Sequence, residues 1–240
     1  VNAFLTIGWF HSILSQTIPP KEIIVSDDAS RDSTVEIVSG YKGRSSVEIS
    51  IHRNQPAFGF ADNFLRACAL AVGPQMAFCD QDDIWYAHKL ERCGQYFSDP
   101  TITMVAHWCD LIDESGSKIG HFHQGITHTA IKDIMSNDIW GTYWGMSIVF
   151  RKDVLGVAHP GHRFVDYIQP ERQIAHDRWV SFLAQVLGRV VEIAEPLAGY
   201  RQHGTNLFGS TGLKPGIVRP SVGASNLIYR DATRRMMEIV

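Results

Sequence analysis

Cys79-Asp80-Gln81-Asp82-Asp83-Ile84-Trp85 is the stretch on which the fold turns. The apolar run Met76-Ala77-Phe78-Cys79 leads into it and reads as a short buried strand. Three carboxylates follow within the four residues Asp80–Asp83. Carboxylates packed so closely repel one another unless something positive lies between them. A hard divalent cation, which takes oxygen ligands and brings its own charge, meets that need. A strand ending in such a cluster places a ligand site just beyond its carboxyl end, where parallel sheets bind ligands. The same residues also fit a solvated turn whose aspartate caps a helix over 87–97. The local sequence leaves both readings open.

Composition narrows the field. The chain has 240 residues, 45% hydrophobic and 20% charged, which fits one α/β domain. The net charge of −3, without a long basic run, argues against nucleic acid as a partner. Cys68, Cys79, Cys93 and Cys109 form no CxxC pair and lie in or beside apolar runs. They read as reduced core residues of a cytoplasmic protein. No run approaches the roughly 20 apolar residues that cross a bilayer, and none reads as a signal peptide or an internal repeat.

Working outward, Ala3, Ile7, Phe10 and Leu14 form a helical stripe that Pro19-Pro20 ends. Glu22–Ser26 reads as a strand, Asp32–Ser39 as a helix, Val47–His52 as a strand and Ala61–Val72 as a helix. This β-α-β alternation implies a mostly parallel sheet with helices on both faces. Beyond Trp85 the pattern loosens. Thr103–Asp113 is apolar and β-branched, Glu114–Ser117 is a turn, and Gly120–Thr129 is expected to be an irregular loop. Gly145–Phe150 reads as a strand, Arg151–Leu155 as a short helix and His159–Gln173 as a long loop. Asp177–Leu187 is expected to be a helix burying Trp179, Val180, Leu183 and Val186 or Leu187, followed by a short strand at Val190–Ile193. Lys214–Ser225 is rich in Pro and Gly, and Leu227–Val240 reads as a helix.

With these segments in place, the chain resembles the inverting family-2 glycosyltransferases that use nucleotide-sugar donors, and within them a bacterial rhamnosyltransferase-like branch. Ile23–Ser30 resembles the family's nucleoside-binding strand end, and Arg53-Asn54, Gly59 and Asn63-Phe64 its next loop and helix. Cys79–Trp85 resembles its Asp-x-Asp metal motif, and Gly145–Phe150 the acceptor-side strand. His176-Asp177-Arg178-Trp179 resembles the base-bearing motif, and Tyr200-Arg201-Gln202-His203 the last metal-side segment. The resemblance implies a single Rossmann-like domain over 1–210. Residues 1–100 would be its nucleotide-binding half, 101–210 its acceptor-binding half, and 211–240 a loop and the start of a C-terminal helix. The family's first strand, ending in Thr-Tyr-Asn, has no counterpart before Ser12. A gap or exposed edge is therefore expected beside Glu22–Ser26 and Met76–Cys79, unless Phe4–Ile7 is recruited as a strand. The expectation is an aggregation-prone chain that roughly ten upstream strand residues would restore.

Inverting transfer needs a base for the acceptor hydroxyl and a cation for the departing diphosphate. By resemblance Asp177 is the base, although an aspartate before an apolar helix also makes a good N-cap. Asp82 and His203 are the metal ligands, for Mn²⁺ or Mg²⁺. Asp80 reaches the ribose, or the metal through water, and Asp83 supports the shell or caps the helix. Asp28 accepts the pyrimidine N–H or serves as a turn acceptor. Arg53 and Asn63 line the nucleotide, and Arg201 pairs with phosphate or sits exposed. Trp85, Trp140 and Trp144 either offer faces to a sugar or pack, and Trp179 is core or an acceptor platform. His121, His123, His159 and His162 lie in loops without supporting carboxylates and are set aside. The expected partners are a UDP- or dTDP-sugar and a glycan or lipid-linked saccharide, with peripheral association at the inner membrane face. The alternatives are a non-catalytic sugar- or nucleotide-binding remnant and a nucleotidyltransferase. The latter would carry a Gly-rich phosphate loop after its first strand, which is not seen.

Overall fold

The computed structural model describes residues 3–137, 143–166 and 171–202. The elements in order are α1 (Ala3–Leu14), β1 (Glu22–Asp27), α2 (Thr34–Ser39), β2 (Glu48–Arg53), α3 (Phe60–Leu70), β3 (Gln75–Ala77) and β4 (Ile84–Trp85). They continue with α4 (Lys89–Gly94), β5 (Ile102–Ile112), β6 (Lys118–Phe122), β7 (Ala130–Lys132), β8 (Ile148–Arg151), α5 (His176–Leu187) and β9 (Arg189–Arg201). Short 3₁₀ turns cover Gly145–Ser147 and Lys152–Gly156, where a strand start and a helix were expected.

The expected α/β architecture is present, with a mixed central sheet flanked by helices. Its strands run in the order β3-β8-β5-β9-β4. β5 and β9 are parallel, and β8 is antiparallel to both β3 and β5. β5 is buried along most of its length because both of its faces are covered. Met104 and Ala106 face α3 and α5, packing with Leu65, Trp179 and Leu183, whereas Val105 faces Cys93 and Phe97. This period-two alternation follows from the pleat. Helix α5 buries Trp179, Val180, Phe182 and Leu183, which settles Trp179 as core, and Leu187 is exposed. Helix α1 buries Trp9, Phe10 and Ile13, a stripe one residue off the expected Leu14.

Two further expectations fail beyond Trp85. Residues 120–122, the start of the expected loop, belong to β6, the second strand of a hairpin with β5 closed by the 113–117 turn with Gly116 at φ 88°. There His121 Nδ1 meets Asp110 Oδ1 at 2.9 Å and His123 stacks on Trp108, so His121 does have a carboxylate beside it. The short strand at Val190–Ile193 is instead the thirteen-residue β9. It runs through Pro196 because the register slips there, with His107 opposite Ile193 and Trp108 opposite Pro196. A bulge tolerates a residue that has no N–H to give to the ladder. The extension carries β9 back to the acidic stretch, where it pairs with β4.

β1 and β2 form a separate parallel pair, and among the described residues no ladder joins β1 to β3. Glu22 Oε1 accepts from Val72 N and Gly73 N at 2.8 Å, tying the start of β1 to the approach to β3. Between the two strands lies an apolar groove of about 400 Å³, lined by Ile23, Ile24, Met76, Ala77, Trp9 and Ile13. This is the gap expected beside those strands. Phe4–Ile7 does not fill it, since Ala3–Leu14 is one helix.

Candidate active site

The site is built where β1, β3 and α5 bring their polar ends together. At the end of β1 the adjacent acids divide their work. Asp27 makes the turn, accepting from Ser30 N at 3.2 Å and pairing with Arg53 Nε at 3.3 Å, with Ala29 at φ 64°. Asp28 faces the next loop. Its Oδ1 accepts from Phe58 N at 2.8 Å and Asn54 Nδ2 at 3.3 Å, and its Oδ2 accepts from Gly59 N at 2.8 Å. Three of the roughly four acceptor positions of a carboxylate are thus used, leaving room for one further donor. Asn63 joins the network through Ser26 O and Asn54 Nδ2, each at 2.8 Å. Arg53 also donates to Ser30 O at 2.7 Å, so it braces the turn that presents Asp28.

The acidic stretch forms a turn between β3 and β4. Asp83 is fully buried; its Oδ1 accepts from Arg201 N at 3.0 Å, and its Oδ2 meets no donor among the described residues. Burial first, then Asp80 and Asp82, push Asp83 well above the ordinary carboxylate range, while the Arg201 N–H and Lys89 pull the other way. Asp80 keeps part of its surface open, yet desolvation, then Asp82 and Asp177, push it up to about 7. Arg201 is neither exposed nor turned to solvent: it is 6% accessible. Its Nε donates to Asp82 O at 2.8 Å, and its Nη1 to Asp113 O and Glu114 O at 2.8 and 2.9 Å. It therefore clamps the acidic turn to the β5–β6 hairpin.

Asp177 lies in the first turn of α5 but is not its cap, since Ala175 holds that place without a side-chain bond. Its Oδ1 accepts from Arg178 N at 2.8 Å and its Oδ2 from Gly145 N at 3.3 Å. Gly145 lies against both, a Cβ built on it meeting Phe78 Cβ at 3.6 Å and Asp177 Cβ at 3.7 Å, so the helix start adjoins the approach to the acidic turn. His176 beside it is buried among aromatics, stacked on Phe64 at 4.2 Å and edge-on to Phe78 at 4.7 Å. Burial, the leading cause, lowers its pKa to about 4.

Trp85 is 6% accessible, so it packs, and Trp144 leans on Phe122 and Tyr200 at 5.0 and 5.3 Å. Trp140 and His203 lie outside the described residues, as do 211–240. Among the described residues no group of three His, Cys, Asp or Glu side chains is arranged to hold a metal ion. Asp80 and Asp82 nonetheless supply hard oxygen donors at the place where like charges crowd. That donor set fits a divalent ion that takes its remaining ligands from elsewhere.

Lys89 escaped notice in the sequence. It is fully buried, its Nζ donates to Met146 O, and its ammonium sits 4.0 Å from the Trp85 ring centroid. The signal was there: Lys89, Cys93 and Phe97 recur every four residues, so the lysine falls on the apolar face of its helix.

A strand-end carboxylate network on the β1–β2 pair, together with an acidic turn and a helix-borne carboxylate beside the mixed sheet, belongs to an α/β domain of the glycosyltransferase type. The model of glycosyl transferase family 2 matches residues 8–156, and the chain belongs to that family. An uncharacterized glycosyltransferase of Nostoc is 28% identical over 203 residues, 82% of this chain and 60% of that protein. Escherichia coli WfgD, a UDP-Glc:alpha-D-GlcNAc-diphosphoundecaprenol beta-1,3-glucosyltransferase, is 40% identical over 80 residues, 33% of this chain and 30% of that protein. Crystal structures of S. aureus TarS 1-349 share the fold. The complex with UDP has a TM-score of 0.62 at 18% identity, covering 82% of this chain and 56% of that one. The complex with UDP-GlcNAc has a TM-score of 0.63 at 16% identity, covering 84% and 56%. The chain thus spans no more than about three fifths of these relatives. No helix among the described residues is long and apolar enough to cross a membrane.

Proposed function

We propose that this domain transfers a sugar from a UDP- or dTDP-sugar to a hydroxyl of a glycan or lipid-linked saccharide, with inversion, in cell-envelope polysaccharide synthesis. The observation that carries this reading is the packing of the start of α5 against the approach to the acidic turn: His176, next to Asp177, lies edge-on to Phe78, two residues before Asp80, at 4.7 Å. One carboxylate belongs to a cluster suited to the donor's diphosphate side, the other to a helix start suited to the acceptor.

Asp28 takes the nucleobase N–H at its remaining acceptor position, with Asn63 and Arg53 fixing the loop and turn around it. Asp82, with His203, would hold Mn²⁺ or Mg²⁺, and Asp80 would reach the ribose or the metal through water; the ion would supply positive charge to the leaving diphosphate. Asp177 removes the acceptor proton as the hydroxyl attacks the anomeric carbon. Gly145 N–H, bonded to one of its oxygens, fixes the carboxylate's orientation while the transfer proceeds. The narrower rhamnosyltransferase-like assignment belongs to this proposal as well.

The test is calorimetry of UDP and dTDP against the protein in Mn²⁺ and in chelator, followed by donor consumption with a saccharide-lipid mixture. Metal-dependent binding of a pyrimidine diphosphate is expected. Equal affinity in chelator would remove the metal assignment, and absence of nucleotide binding in either medium would remove the function.

A further inference from the structure

We propose that the pocket where α3 and α5 begin binds a phosphate group of the acceptor, and that the acceptor is an amphiphile whose apolar part lies against the rings at the rim. The inference rests on reading Asp177 as the base that meets the acceptor.

The pocket has a volume of about 280 Å³ and is lined by residues 58–62 together with Arg163, Arg172 and Ala175. Both helices start there without a side-chain cap, α3 behind Gly59 at φ 86° and α5 behind Ala175. An uncapped first turn presents N–H groups and the positive end of the helix dipole, which favours an anion. A second observation points the same way. Arg163 is 6% accessible and donates through Nη2 to Asp62 Oδ1 at 2.6 Å and Gln173 Oε1 at 3.2 Å. Its buried Nε and Nη1 meet no acceptor among the described residues. Guanidinium N–H groups left buried and unbonded are costly, and an oxyanion is the group whose paired oxygens match their fork. Gln173 Nε2 donates to Gly161 O and Arg163 O, each at 3.0 Å, so the arginine is held in place before any ligand arrives.

The two carboxylates lining the pocket are already paired, Asp62 with Arg163 and Asp166 with Arg178 at 3.1 Å, so Arg172 tips the balance to positive. Phe58 and Phe60 line the same pocket and stay 46% and 36% accessible. A phosphate ester bearing an alkyl chain uses both the charged back and the apolar rim, whereas free phosphate or a uronate uses the back alone. The place also suits an acceptor. The Phe58 and Gly59 amides hold Asp28, and Ala175 stands two residues before Asp177.

The test is calorimetry in EDTA with octyl phosphate below its micelle concentration, beside inorganic phosphate, glucuronate and octyl glucoside. Octyl phosphate is expected to bind at least about tenfold tighter than the other three. Its addition should slow hydrogen exchange at the Ala61 and Asp62 amides. Arg163→Lys keeps the charge but loses the fork, and should weaken octyl phosphate at least about tenfold. Arg172→Ala, at an exposed position, should melt like wild type and weaken it about threefold. No binding of octyl phosphate, unchanged exchange at the two amides, or full affinity in Arg163→Lys each overturns the proposal. If Arg163→Lys does not fold, exchange in the wild type and affinity in Arg172→Ala decide in the same way. Inorganic phosphate or glucuronate binding as tightly as octyl phosphate overturns the amphiphile, and octyl glucoside doing so overturns the phosphate. Octyl phosphate binding as expected while UDP binds in neither Mn²⁺ nor chelator keeps the anion pocket and removes the transfer reading. UDP binding without octyl phosphate binding removes this inference alone.

Discussion

Arg201 N donates to Asp83 Oδ1 at 3.0 Å across 118 residues of sequence, and the Arg201 guanidinium then reaches Asp82 O, Asp113 O and Glu114 O. One residue of β9 thus holds both the side chain and the backbone of the acidic turn. Arg201→Met should release that turn and weaken UDP binding in Mn²⁺ by at least about tenfold, roughly 1.4 kcal/mol. Stability should fall by about 1–3 kcal/mol, since buried carbonyls lose their donors. Arg201→Lys keeps the charge but cannot span three carbonyls, and should fail as well. Full UDP affinity in the lysine variant, measured by calorimetry, would mean that charge toward phosphate is what matters.

Asp28 holds the loop after β2 through two backbone amides, Phe58 and Gly59. Asp28→Ala should leave both donors without their acceptor. Faster hydrogen exchange at Phe58 and Gly59 is expected together with weaker nucleotide binding. If nucleotide affinity drops while exchange at these amides is unchanged, Asp28 serves the base alone.

Asp177→Asn should abolish transfer and spare donor binding, because the proposed base touches the acceptor and not the nucleotide. An amide oxygen can still accept from Gly145 N, so the turn should stay in place. Turnover within about tenfold of wild type, which is only ~1.4 kcal/mol of barrier, would reduce Asp177 to a structural role.

His176 gives the molecule an acid limit. Its folded-state value of about 4 lies below the ordinary 6.5, because burial disfavours the imidazolium. The unfolded chain therefore takes up a proton below about pH 6.5 that the folded chain refuses until about pH 4. The stability His176 contributes is complete above 6.5 and is lost as pH falls through that window. Asp80, raised to about 7, acts with the opposite sign over the same range, so the comparison must be a difference. His176→Phe can keep the stack on Phe64, and its melting temperature should fall less than that of wild type between pH 6.5 and 4. Parallel profiles would place the acid limit elsewhere, with the deeply buried His107 as the next residue to replace.

The strands and helices before Trp85 were legible because each is local. Ile23–Val25 and Phe64–Cys68 carry their period in a few residues, and the acids that follow β1 and β3 stand in plain view. The second half was less so. The full length of β9 is not legible because Pro196 has no N–H to give to a ladder, and only pairing with β5, more than eighty residues earlier, shows that a bulge absorbs it. β6 was hidden because its alternation is Lys118, Gly120 and Phe122 against Ile119 and His121, too polar to signal a strand without its partner. At the site, the residue types in the acidic turn were readable, but Arg201 as a clamp was not. Its three acceptors are main-chain carbonyls, which no sequence pattern advertises. Lys89 was legible from its spacing and overlooked because a lysine is ordinarily assigned to the surface.

The open groove between β1 and β3 bears on how the site keeps its dimensions. A ladder fixes the register of two strands to the residue, since a slip would break every rung. Across this groove the described residues offer no rungs. The spacing between Asp28 and Asp80 is set instead by one carboxylate bracket, Glu22 on the amides of Val72 and Gly73, and by the seating of α1 and α3. The bracket grips the amino-terminal ends of the two strands, while at the other end of β1 Ser26 O accepts from Asn63 Nδ2 of α3 at 2.8 Å, so the helix that links the strands carries their spacing to the site.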